Sequence, residues 1–273
     1  MGLRPSLVLG PALVLGPWPR RIARALALTK RYPPAADVLR FYARRTEYQQ
    51  SLATEWAGTR WELPIALAAL PATLDWLEAN GPAGLAGHVP LLRDRQPDDW
   101  RRMLDRYLAE DAFDAADAPA AFVIETLLQP LAELCAAARP ASDPQPPIPP
   151  PRPPSPAHCP FCHQRPAAGV LRDAGQGTRR ALVCGLCFTE WSFERIACPS
   201  CGERKFDELP VYTAEQVDAV RIECCDTCGV YLKTIDASKD GTAVPLVDDL
   251  ATLTLDLWAR ERGYRRVRQS FYL

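Results

Sequence analysis

A chain of 273 residues, 48% of them hydrophobic, has the material for at least one full core, and its length suits one or two domains. A formal charge of -1 excludes the broad basic excess that usually marks partners of nucleic acid or anionic membranes, so either role would need a local patch. Ten cysteines, eight of them in C-x2-C pairs, point to metal rather than disulfides and to a reducing compartment, the cytoplasm.

The first apolar stretch, PSLVLGPALVLGPWP after Arg4, has the look of a signal-peptide centre. Gly10, Pro11, Gly16, Pro17 and Pro19 interrupt it, arginines follow, and no small-x-small cleavage site comes directly after, so no signal peptide is expected. No other segment approaches the roughly 18 uninterrupted apolar residues of a membrane span. Residues 1–138 are expected to form an all-α N-terminal domain. From Asp37 to Trp56, the residues Val38, Phe41, Tyr48, Leu52 and Trp56 recur at helical intervals, with Arg40, Arg44 and Arg45 between them. A second helix is expected from Pro97 to Ala112 with Trp100, Met103, Leu104, Tyr107 and Leu108 buried. A third, Pro119 to Ala138, puts Ile124, Leu128, Leu131 and Cys135 on one stripe and carries Pro130 as a kink. Cys135 is then a core residue, since a lone thiol on an apolar helix face behaves as a small hydrophobe. His88, in a Gly/Pro-rich loop, has no evident partner.

Residues 139–158, RPASDPQPPIPPPRPPSPAH, are half proline and cannot form a helix or an interior strand. The expectation is an extended spacer between two domains, with a docking role for the proline tract as the alternative.

The cysteine region repeats itself. CPFCH at Cys159 corresponds to CPSCG at Cys198, and RALVCGLC ending at Cys187 corresponds to VRIECCDTC ending at Cys228. Residues 159–192 and 193–235 are thus read as two copies of one β-rich module, with spacing C-x2-C-x21-C-x2-C, ten residues, then C-x2-C-x23-C-x2-C. A C-x2-C turn aims two thiolates at one ion and backbone N–H groups at the sulfurs, and a left-handed residue after the second cysteine completes it. Gly202 and Gly229 suit that place; His163 and Phe188 hold it in the other two turns. The duplication assigns Cys159, Cys162, Cys184 and Cys187 to one ion and Cys198, Cys201, Cys225 and Cys228 to the other, with a cross-braced pairing as the alternative. Cys224 competes with Cys225 but breaks the spacing. His158 and His163 stand beside ligand cysteines and could replace one; otherwise they are solvated loop residues. Four thiolates at about 2.3 Å suit tetrahedral zinc or a single iron and leave no position for substrate. A module of this size buries too little apolar surface to stand alone, so the two metal ions, iron or zinc, are expected to hold it folded.

Residues 236–273 are read as a C-terminal helix and tail. In VPLVDDLATLTLDLWARERG, Pro245 opens the helix, Asp248 and Asp249 sit in its first turn, Arg260 and Arg262 in its last, and Gly263 stops it. Leu246, Leu250, Leu253 and Leu257 then form one stripe of a single helix. The arginine runs Arg20–Arg45 and Arg260–Arg268 are expected either as solvated helix faces or as contacts for an acidic protein surface.

From Cys159 to Lys233 there are nine Lys/Arg and ten Asp/Glu, a balance that attracts no phosphate. No dinucleotide, P-loop, nucleophile-elbow or zinc-protease motif occurs, and three histidines leave little acid/base machinery, so no enzyme is expected. The residues describe a metal-stabilised binding protein. A groove between its parts would take a partner protein, with Trp191, Phe193 and Tyr231 as contacts or, alternatively, as the modules' own cores. An iron-thiolate redox protein and a nucleic-acid-binding zinc ribbon are the other readings.

The pieces CPFC, LVCGLCFTEWSFERIACPSCG, CCDTCGVYLK and DDLATLTLDLWARERGY, with RRIARALALTKRYPPAADVLRFYARRTEYQQSL upstream, resemble the FdhE family, the formate dehydrogenase accessory proteins of bacteria. The resemblance implies a cytoplasmic maturation factor with two rubredoxin-like four-cysteine sites that binds the catalytic subunit of formate dehydrogenase before export. It carries the ligand role onto the eight paired cysteines. The ending RRVRQSFYL departs from the Asn-Pro ending expected of the family. The expected class is α+β multidomain: a helical domain, two tandem rubredoxin-like or zinc-ribbon modules, and a helix.

Overall fold

The computed structural model describes residues 16–58, 62–138 and 155–272; the apolar stretch up to residue 15 and the proline tract from 139 to 154 lie outside the described residues. Helix α1 (Trp18–Arg31) buries Trp18, Arg21, Ala25 and Leu28, one stripe at helical spacing. It is followed by α2 (Ala36–Glu55), then by the shorter α3 (Leu63–Ala68), α4 (Leu70–Asn80), α5 (Ala83–Ala86), α6 (Val89–Arg93) and α7 (Pro97–Leu108). The last of these starts on a capping box between Gln96 and Asp99 and ends at Leu108, four residues short of the expected Ala112. Glu110 stops it by adopting φ 58, a left-handed conformation no helix continues through. Helix α8 (Ala118–Ala138) is buried continuously from Pro119 to Glu133, and α2, α4 and α7 pack on it. It is long and apolar enough to cross a membrane, but most of it is enclosed by protein, as in a core helix.

The cysteine region forms one sheet. The strands are β1 (Pro166–Asp173), β2 (Thr178–Cys184), β3 (Glu190–Ser192), β4 (Val211–Thr213), β5 (Val220–Cys225), β6 (Val230–Asp236) and the two-residue β7 (Arg265–Arg266). Their order is β3-β2-β1-β6-β5-β4, with β7 on β6. Each repeat contributes its strands in the order third, second, first, so the first strand of one copy meets the third strand of the other. That junction is parallel, Gly169 opposite Thr234 and Val170 opposite Ile235, whereas the pairs inside each repeat are antiparallel. A Cβ on Gly169 would lie 2.2 Å from Thr234 Oγ1, so the junction closes only over glycine. Gly169→Val is expected to lower stability by roughly 1–3 kcal/mol through overpacking. Urea denaturation measures it, and a loss under about 0.5 kcal/mol would mean that the junction yields.

The C-terminal segment differs from the single expected helix. It breaks at Thr252 (φ -107, ψ 40) into α9 (Pro245–Ala251) and α10 (Leu253–Glu261). The cause is Lys233 on β6, which is fully buried and whose Nζ donates to the carbonyls of Asp249 at 2.6 Å and Thr252 at 3.2 Å and to Asp256 Oδ2 at 2.5 Å. Around that ammonium the ladder tightens to i+3 bonds, Thr252 N–H donating to the Asp249 carbonyl (3.2 Å) and Leu255 N–H to that of Thr252 (3.0 Å). With the axis broken the leucine stripe no longer lies on one face: Leu250 is buried and Leu257 is exposed.

Several arginines expected on solvated faces, or as contacts for a partner, are interior. Arg21, Arg45, Arg266 and Arg268 have side chains between 1% and 10% exposed. Arg45 stacks over Phe122 and donates to Thr126 Oγ1 (2.8 Å) and Tyr272 Oη (2.7 Å). Arg268 reaches Glu125 Oε2 at 3.1 Å, and Gln269 exchanges two hydrogen bonds with the backbone of Phe113. Residues 265–272 are therefore a wedge between the helices and the sheet. Arg24 ties α1 to the C-terminal part through Asp240 (2.7 Å) and Asp248. These charges sit where they do because each finds a carboxylate or carbonyl inside; buried charges without such partners are not tolerated.

Candidate metal centres

Two groups of four sulfurs converge, Cys159, Cys162, Cys184 and Cys187 in one and Cys198, Cys201, Cys225 and Cys228 in the other, the sulfurs of each within 4.8 Å of one another. In the first group the register of β1 against β2 sets Pro166 opposite Cys184, which puts the turn before β1 beside the turn after β2. Sγ···Sγ separations within it include 3.3 and 3.5 Å. In the second, the turn closing β5 meets the Cys198 turn at 3.6 and 3.7 Å. A tetrahedral ion with metal–sulfur bonds of about 2.3 Å needs edges of about 3.8 Å, so both cages accept one with small adjustments.

The turns have the expected local geometry. Backbone N–H groups two residues on donate to the first sulfur: Phe161 to Cys159 (3.4 Å), Leu186 to Cys184 (3.3 Å) and Ser200 to Cys198 (3.3 Å). The residue after each second cysteine has positive φ: His163 60, Phe188 59, Gly202 79 and Gly229 67. Of the two non-glycines, Phe188 is held by its surroundings. It lies under the Arg21 guanidinium at 4.0 Å, with Trp18 on another side at 4.2 Å, and Arg21 pairs with Glu133 at 2.6 Å. His163 and His158 are half-buried rather than solvated, His158 Nε2 lying 3.9 Å from Glu110 Oε2; neither belongs to a sulfur group.

Cys224 stays out of the second cage. It packs with Ile222, Tyr231 and Ala259, and burial, with Asp226 next, pushes its thiol up to about 12. Cys135 lies against the large core, and burial raises its thiol to about 11. Of the aromatics, Tyr231 is buried and bonded to Asp256, while Trp191 and Phe193 are half-buried against the sheet, so all three contribute to the sheet's own packing. His88 is exposed at the start of α6.

Some supporting residues carried no signal in the spacing. Gln129 of α8 donates to the carbonyl of Gly185 at 2.7 Å, and Arg268 lies so close that a Cβ on Gly185 would stand 2.6 Å from its Nε. Thr189 Oγ1 is 3.1 Å from Cys187 Sγ; a hydroxyl two residues past a ligand cysteine was the one readable hint. Four sulfurs per centre, each tied to a turn, leave no open coordination position, so the arrangement can hold an ion and not present it to a substrate.

Residues 158–195 match the FdhE central domain and residues 196–273 the FdhE C-terminal domain. A protein FdhE homolog of Aquifex aeolicus is 36% identical over 115 residues, 42% of this chain and 41% of that protein. One from Edwardsiella ictaluri is 38% identical over 109 residues, 40% of this chain and 35% of its own length. The aligned part thus spans well under half of these relatives. The crystal structure of the FdhE protein from Pseudomonas aeruginosa covers 94% of this chain and 95% of its own, with a TM-score of 0.70 at 26% identity.

Proposed function

We infer, from this chain's membership of the FdhE family, that it is a non-catalytic accessory protein of formate dehydrogenase. It works in the cytoplasm, binds the catalytic subunit of the dehydrogenase and assists its assembly before export. The eight cysteines of the two cages hold two metal ions, iron or zinc, that keep the sheet and its turns in shape. The observation that carries this reading is a pair of closed four-sulfur cages set in an FdhE fold. Closed cages supply structure, not turnover.

A nucleic-acid role finds little support, because Arg21, Arg45, Arg266 and Arg268 spend their charge on internal carboxylates. Affinity capture with the full chain from formate-respiring cells is expected to recover the dehydrogenase catalytic subunit. Capture that repeatedly returns no dehydrogenase subunit, together with undiminished formate dehydrogenase activity in cells lacking the protein, would overturn the assignment.

A further inference from the structure

The two cages are chemically alike and differently placed. In the first, Cys159, Cys162, Cys184 and Cys187 are each at most 2% exposed, and they share one core with Phe161, Leu186 and the helices around α8. The Gly185 turn is further clamped by Gln129 and crowded by Arg268. In the second, Cys201 is exposed and Cys228 half-exposed, and both turn tips, Ser200 to Gly202 and Asp226 to Thr227, face solvent. One rim contact among exposed groups, Thr227 Oγ1 to Glu203 Oε2 at 2.9 Å, ties those tips together.

We propose that the second centre is an exchange site, giving up and regaining its ion through Cys201 and Cys228 to small soluble thiols and chelators, while the first keeps its ion for as long as the core is folded. The proposal rests on the two-ion reading above. Exchange at a four-thiolate cage proceeds by substitution: an incoming donor atom forms one bond to the ion as one sulfur lets go, and the released thiolate takes a proton from solvent. The donor must therefore touch the ion's surroundings before any sulfur leaves. At the second centre Cys201 already meets solvent, so the required opening is small. At the first, no cysteine is more than 2% exposed. Even where Cys187 backs onto a surface pocket lined by Arg21, Glu133 and Phe188, a donor must displace those packed side chains before it reaches a sulfur, which takes a larger local opening than at the second centre. Each 1.4 kcal/mol of extra opening free energy slows exchange about tenfold, so the two rates are expected to differ by at least about a hundredfold.

The test uses zinc-loaded full-length protein, with zinc content measured first and release followed by the absorbance of excess 4-(2-pyridylazo)resorcinol. Two zinc per chain at the outset, leaving in two phases of one equivalent each at least about a hundredfold apart, is the expected result. The double variant Cys201→Ser, Cys228→Ser should start with one zinc, lack the fast phase and keep the slow one. Both zinc ions leaving in one phase, or the fast phase surviving in the double variant, overturns the proposal while leaving the two-ion reading intact. A loaded protein holding fewer than two zinc overturns both.

Discussion

Cys184→Ser is expected to abolish the cooperative fold of the chain, whereas Cys201→Ser leaves a folded protein with a lower melting temperature. Structural zinc in small domains contributes on the order of 10–16 kcal/mol of apparent binding free energy, as much as or more than the whole stability of about 5–15 kcal/mol typical of a folded protein. Which centre is hit decides how much of the molecule goes with it. The first cage lies inside the main core, with Phe161 and Leu186 packed alongside Phe122, Leu127 and Leu131 of α8, and its Gly185 turn receives Gln129 from that helix. Losing the ion that this cage would hold leaves three buried thiols and the serine hydroxyl in contact and removes the pin between helices and sheet. The second cage sits at the outer half of the sheet, packed with the smaller cluster of Leu182, Val230, Leu232 and Val267. Circular dichroism melts and one-dimensional proton spectra of the two variants check this. A Cys184→Ser protein that melts cooperatively within about 5 °C of the parent, roughly 1–2 kcal/mol for a chain this long, would refute the pinning role.

Lys233→Met is expected to cost about 3–5 kcal/mol, because the lysine anchors a buried network with no spare cation. Lys233 Nζ sits 3.2 Å from Asp249 Oδ1 as well as 2.5 Å from Asp256 Oδ2, and Arg266 pairs with the same two carboxylates at 2.9 and 3.0 Å. Two cations face two anions, and Tyr231 Oη donates to Asp256 at 2.7 Å. Removing one cation leaves a carboxylate buried with half its compensation. Burial works to raise the Asp249 carboxyl, but Arg266 and Lys233 outweigh it and hold it below the usual range. Such a depressed group stabilises the fold above its unfolded value of about 3.9, and that contribution is lost as pH falls through the lower folded value. The Lys233→Met protein should therefore lose stability at a higher pH than the parent during acid titration. The double variant Lys233→Met, Asp256→Asn should recover part of the loss, since it removes the stranded charge. Urea denaturation between pH 3 and 7 measures all three proteins; a single variant within about 1 kcal/mol of the parent would refute the account.

The helices show how far local spacing carries. The Asp37–Trp56 pattern became Ala36–Glu55, and the stripe of Trp100, Met103, Leu104 and Tyr107 faces the core, because amphipathic period and turn residues act over a few neighbours. The same logic identified the four left-handed positions, including the unfavoured His163 and Phe188, since duplication placed them after the second cysteine of a turn. It failed at Thr252. The helix there has good local grammar on both sides, and what breaks it is an ammonium arriving from β6, nineteen residues earlier in the chain. Arg45 and Arg268 misled for a related reason: an arginine on a helix or tail reads as solvated unless one knows that Glu125 waits inside.

By itself the sequence determined the cysteine turns, their duplication, the grouping of sulfurs it favours and the helical character of the first half, all properties fixed by residues a few positions apart or by direct repetition. Only the tertiary structure decided that the two repeats share one sheet through Gly169, that Arg21, Arg45, Arg266, Arg268 and Lys233 are interior, and that one cage is enclosed while its twin meets solvent. Those outcomes depend on which surfaces come together. Burial is a property of the partner surface as much as of the residue, and two identical spacings acquire different environments once one is packed against a helix and the other is left at the edge.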